Sequence, residues 1–210
     1  VLTFKLYVMA NACISEYKLY GNKGMINQLF SKFEKIFHAD RSEHADRKGT
    51  YLPMPWLGYV VKEILELDPE RDDIYCRGII SYIDEKVTNC DDDTAFFQIQ
   101  TETAWVPMNG VFKLIEEKFG IEVFYIAEEL AMGIFEGNDT EGRFFTDRYI
   151  LDDTELDMDY FDSFDDLASV INDLIGEKPN IFDDIQGIIS KHELDERIMV
   201  YEIEYVSLSD

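Results

Sequence analysis

Residues 13–37 read CISEYKLYGNKGMINQLFSKFEKIF, and the apolar side chains change their spacing partway through. CISEYKLY, residues 13–20, reads as a strand, with Tyr17 and Leu19 alternating against Glu16 and Lys18. Gly21-Asn-Lys-Gly24 is a turn cluster. Beyond it Met25, Leu29, Phe33 and Ile36, joined by Phe30 and Phe37, recur at helical spacing and give a broad apolar face. The stretch therefore predicts a strand, a turn and an amphipathic helix, the opening of an α+β fold.

Composition permits such a fold. The 210 residues are 46% hydrophobic and 14% aromatic, enough for a sizeable core. Acidic residues number 44 against 19 basic ones, for a formal net charge of −25. Long-range repulsion then disfavours phosphate backbones and anionic membranes as direct partners and favours a protein with a basic surface. Cys13, Cys76 and Cys90 are widely spaced and form no CxxC pair, which fits a reducing compartment. No apolar run reaches the roughly 20 residues needed to cross a bilayer. The opening VLTFKLYVMANAC holds Lys5 in its apolar part and lacks a basic start, so it reads as a strand of a cytoplasmic protein and not as a signal peptide.

Further along, HADRSEHADR repeats His38-Ala-Asp-Arg41 at His44, six residues later. That spacing puts the two imidazoles on different helical faces, so a polar loop is expected and no metal pair. Pro53 and Pro55 open a second helical pattern with Trp56, Val60, Ile64 and Leu67 on one face, ended by Asp68-Pro69. Residues 74–86 and TAFFQIQTETAW, residues 94–105, read as an antiparallel strand pair. Pro107 begins a helix carried by Val111, Leu114, Ile115 and Phe119 and closed by Gly120. IEVFYIAEE is the next strand, and two short strands flank the turn 137–142. The order matches the βαββαβ of a ferredoxin-like sandwich with a helix inserted in the first crossover.

From residue 151 the pattern is different. An acidic approach leads to helices at 163–175 and 180–191 and to a closing strand, RIMVYEIEYVS, expected on the same core. The expected domains are thus residues 9–150 and an acidic ααβ addition, residues 151–210. Residues 151–196 carry 15 acidic and 2 basic side chains, whereas residues 1–38 carry 2 acidic and 5 basic.

The run from Met9 to Gly21, MANACISEYKLYG, resembles the start of the YubB-like ferredoxin-like family, small proteins of plasmids, phages and integrated mobile elements. Asn11, Cys13 and Gly21 match in register, and Trp105 and Pro107 before a helix resemble the family's second signature. Ala12 stands where the family usually has tryptophan, and Ser15 where it has asparagine. The resemblance covers residues 9–150. It implies a ferredoxin-like fold, a mobile-element setting and a start at Met9, with eight residues ahead of it, and it implies no catalytic residue.

Candidate chemistry is sparse. There is no GxSxG elbow, no P-loop and no GxGxxG, and no histidine stands beside a cysteine in sequence, so neither catalytic residues nor a cofactor are expected. Within the acidic stretch, Asp153, Glu155 and Asp157 fit positions 1, 3 and 5 of a calcium loop. Met158 at position 6 and Phe164 at position 12 break it, so no metal site is expected. The residues expected to meet a partner are Asp152, Asp153, Glu155, Asp157, Asp159, Asp162, Asp165, Asp166 and Asp173. Tyr160, Phe161 and Phe164 are expected to anchor this approach, with Ser163 starting the helix in a variant capping box. The expected function is non-catalytic protein binding; the alternative is imitation of DNA to block a DNA-binding or restriction-type enzyme. A strand edge at either end of the chain offers a route to a homodimer.

Overall fold

The computed structural model describes residues 11–40 and 54–208. Expectations for the opening segment, His44 and Pro53 lie outside them. The protein is a mixed α+β chain in two compact units, the first running to Ile134 and resumed at Val206, the second Phe135–Tyr205. The boundary expected from sequence, 150/151, falls inside the second unit.

In the first unit β1 (Ala12–Asn22) lies between β4 (Thr94–Ala104) and β5 (Glu122–Glu129), and β2 (Gly78–Ile83) flanks β4. All three pairings are antiparallel. A two-residue strand, β3 (Thr88–Asn89), also pairs with β4. Alternation is strict: Cys13, Ser15, Tyr17 and Leu19 of β1 and Ala95, Phe97, Ile99, Thr101 and Thr103 of β4 are buried. The helix α1 (Lys23–His38) follows β1 directly, because Asn22 caps it by accepting from the amides of Gly24 and Met25. Its buried face is Ile26, Leu29, Phe33 and Ile36, whereas Met25, Phe30 and Phe37 sit at the margin.

The second helical segment departs from its expected form. One turn, α2 (Leu57–Tyr59), runs into a π-helix at Val60–Leu65, which ends at Glu66 in the left-handed region, φ 62°. The segment buries two adjacent pairs, Val60 with Val61 and Ile64 with Leu65. The Trp56 ring lies over Gly58, where a Cβ would stand 2.2 Å from the indole. Strand β2 is shorter than residues 74–86, with a register shift between Ile80 and Tyr82. Then α3 (Asn109–Phe119), closed by Gly120 at φ 60°, brings Phe112 onto Tyr17 with ring centroids 3.6 Å apart. Tyr17 also donates to Asn109 Oδ1 at 3.0 Å, so the buried hydroxyl is satisfied.

The second unit has its own core. After a single 3₁₀ turn that closes the first unit, Leu130–Met132, β6 (Ile134–Gly137) begins at the boundary and pairs in parallel with β10 (Glu204–Tyr205). A separate sheet has β7 (Tyr149–Asp153) between β8 (Asp159–Phe161) and β9 (Ile198–Glu202), both antiparallel to it. The helices α4 (Phe164–Ile175) and α5 (Asp184–Lys191) supply Leu167, Ile171, Ile185 and Ile189 to a core shared with Leu151 and Ile198. The closing strand expected on the first core is therefore broken at Ile203, and its longer half packs on the second. Leu208 belongs to the first core, and the Tyr125 hydroxyl donates to the Val206 carbonyl.

Candidate functional site

The second sheet sorts its residues by face. Tyr149, Leu151 and Asp153 of β7, Phe161 of β8, and Ile198 and Val200 of β9 share the inner face, against α4 and α5. Ile150 is in register with Tyr160 on one side and Tyr201 on the other, and Asp152 with Met199, which makes these the outer face.

The acidic residues expected at one surface divide accordingly. Asp152 is half-buried on the outer face, while Glu155, Asp157, Asp159 and Asp162 are exposed around β8. Asp165, Asp166 and Asp173 are exposed on α4, whose buried residues Leu167, Ala168 and Ile171 turn toward the inner face. Asp159 is in register with Leu151 and shares the alternation of the inner face, while Asp152 belongs to the outer one, so these two do not stand in one row along the sheet.

Asp153 requires a correction, since only 1% of it is exposed. Its two carboxylate oxygens accept from Arg197 Nε at 2.9 Å and Nη2 at 2.8 Å, and Oδ1 also accepts from the Glu155 amide. Arg197 Nη1 reaches Glu155 Oε2 at 2.9 Å. Hydrogen bonding from the guanidinium holds the Asp153 carboxyl below its usual range against the opposing effect of burial. A buried carboxylate bound at both oxygens cannot meet a partner; it fastens the end of β7 to the start of β9.

A second buried carboxylate lies in the turn 137–142 and was not singled out by sequence. Asp139, 3% exposed, accepts from the amides of Arg143, Phe144 and Phe145 at 2.9, 2.6 and 2.9 Å. Burial pushes its carboxyl upward, but the three amides together outweigh burial and hold it low. Arg148 lies beside this loop and donates to the carbonyls of Phe145, Asp147 and Asp139. Burial, with a contribution from Asp162, raises the neighbouring Asp147 carboxyl.

Phe161 and Phe164 pack at the edge of the second core, as expected of anchors. Tyr160 does not: it is 43% exposed on the opposite face, and its hydroxyl donates to Met158 Sδ at 3.2 Å. Ser163 caps α4, accepting from the Asp166 amide, and its hydroxyl donates to the Asp166 carboxylate.

Four of the family-motif positions gather at one end of β1 and β4. Asn11 and Trp105 both have left-handed backbone, φ 63° and 77°, and the Trp105 amide donates to the Asn11 carbonyl. Cys13 is buried opposite Thr103, whose hydroxyl donates to the carbonyls of Cys13 and Val106, and Pro107 leads into α3. Gly21 stands at the other end, where a Cβ would come within 3.0 Å of the Ile121 side chain. Burial raises the Cys76 thiol, which argues against a reactive thiolate there.

Among the described residues no group of three His, Cys, Asp or Glu side chains is placed to hold a metal ion, and no helix is long and apolar enough to cross a membrane. A cleft of about 240 Å³ beside α5 is lined by Glu177, Lys178, Asn180, Asp184 and Lys191, among others. Glu177 occupies the Lys191 ammonium at 2.6 Å and contacts His192 at 3.3 Å. No family model, curated protein or solved structure matches the chain.

Proposed function

We propose that this is a non-catalytic binding protein whose acidic second unit engages a protein with a basic surface. The observation that carries this reading is the inward use of two of the unit's three arginines. Arg197 closes on Asp153, and Arg148 on backbone carbonyls, while Glu155, Asp157, Asp159, Asp162 and the α4 aspartates stay exposed. The surface presented is therefore strongly negative, which steers a cationic partner toward it.

The antiparallel order β5-β1-β4-β2, with α1 and α3 over one face, supports a ferredoxin-like first unit. With the motifs at Asn11, Cys13, Gly21, Trp105 and Pro107, it supports an accessory protein of a mobile element related to the YubB-like family. Blockade of a DNA-binding enzyme would need carboxylates in one row at phosphate-like spacing; Asp153 is buried, and Asp152 and Asp159 lie on opposite sides of the sheet, which weighs against it.

Affinity capture by the whole chain, followed by salt titration of the purified complex, tests the reading. A partner with a basic surface, released as ionic strength rises, and weakened by Asp157→Asn with Asp159→Asn, supports it. A salt-insensitive complex, or a partner with no basic surface, contradicts it. Competition of that complex by duplex DNA would move the reading to blockade of a DNA site.

A further inference from the structure

Asn109-Gly110 is the one Asn-Gly pair in the chain, and it opens α3. This is the most labile setting an asparagine can have. The backbone nitrogen of Gly110 can attack the Asn109 side-chain Cγ, because glycine has no Cβ to shield that nitrogen. The new N–C bond closes a five-membered succinimide, the Cγ–Nδ2 bond breaks, and the Gly110 amide proton leaves with the side-chain nitrogen as ammonia. Water then opens the ring at either carbonyl. One product is aspartate; the other is isoaspartate, whose main chain runs through the former side chain and gains a methylene.

The fold denies the pair the geometry for this step. Attack needs the Gly110 nitrogen to swing toward Cγ, and a helical ψ of about −42° at Asn109 turns it away. The side chain is held as well. Asn109 is 7% exposed, and its Oδ1 accepts from the Tyr17 hydroxyl at 3.0 Å. The Tyr17 ring stacks on Phe112, which stands three residues on and shares a helix face with Asn109. One fully buried tyrosine thus fixes both the first turn of α3 and the amide. Glycine is not required at the position: a Cβ on Gly110 would meet nothing within 4 Å, and its φ is not left-handed. Alanine would suit a helix better.

We infer that Asn109-Gly110 is a site of spontaneous modification which the first unit keeps closed while folded, so that the chain ages at this bond only when α3 opens. The consequence is irreversibility. Isoaspartate lengthens the main chain at the first helical residue and cannot rebuild the start of α3, so a chain left open long enough no longer refolds.

The full chain is incubated in mildly alkaline native buffer and, in parallel, in concentrated urea. Peptide mapping by mass spectrometry reads the exchange of amide for acid at Asn109, and enzymatic methylation reads isoaspartate. Dilution of the urea samples reads the yield of refolded chain. Conversion at Asn109 should be at least tenfold slower in native buffer than in urea, and the refolding yield should fall in step with isoaspartate. Gly110→Ala, which the open space at that position accommodates, should convert at least tenfold more slowly in urea and keep its refolding yield. Equal rates in native buffer and in urea overturn the closed site. A refolding yield that falls equally in the wild type and in Gly110→Ala overturns isoaspartate as the cause.

Discussion

The two units reach order by different means. In the first, two 11-residue strands alternate without interruption, and Tyr17, Phe33, Phe97 and Phe112 are fully buried around them. In the second, the longest strand has five residues, and two carboxylates, Asp139 and Asp153, organise the loops between elements by hydrogen bonds. The first unit is held chiefly by burial of apolar area, the second by a smaller core and directed polar contacts. The contrast predicts that the units respond differently to truncation, acid and loss of a cap.

The largest effect should come from the first core. Phe97→Ala removes a ring packed against Phe30 and Phe33 and is expected to cost about 3–5 kcal/mol in chemical denaturation. In the second unit, Asp153→Asn should lower the melting temperature by roughly 10 °C at neutral pH, since Arg197 loses its buried, doubly bonded charged partner and keeps only the exposed Glu155. The pH dependence has a definite sign. The folded Asp153 carboxyl is held below its unfolded value of about 4, so its stabilisation is complete above that pH and is lost as pH falls through the folded value. The gap between wild type and Asp153→Asn should therefore close toward pH 2. A gap that persists there would mean that shape, and not charge, is what the asparagine disturbs.

Asp139→Ala leaves three amides without their acceptor and should cost about 2–3 kcal/mol by the same denaturation measurement. The smallest effect is expected for Ser163→Ala, about 1 kcal/mol, because it removes one cap from α4. Equal sensitivity of both units to all four substitutions would dissolve the contrast.

Legibility follows the same division. The amphipathic helix after β1, the alternation in β4 and the Gly120 stop were readable because each depends on neighbours within a few residues. The π-helix at Val60–Leu65 was not, since its buried pairs can be mistaken for a broad helical face. Asp153 read as one more exposed aspartate because the group that buries it, Arg197, lies 44 residues away. Asp139 lay inside a turn that sequence did mark, but which backbone amides a turn aspartate gathers depends on the path of the loop. Tyr160 and Phe161 differ only in which way the strand points them, and a three-residue strand is too short for alternation to decide that. The separation of Asp152 from Asp159 likewise depended on knowing the register of β8 against β7.

Hydrogen exchange on the complex with the captured partner tests most directly whether the second unit is where binding occurs. The account predicts new protection confined to the second unit, centred on residues 155–173, which carry the exposed carboxylates. Protection centred instead on residues 11–13 and 103–107, the end of the first sheet where Asn11 and Trp105 meet, would contradict it.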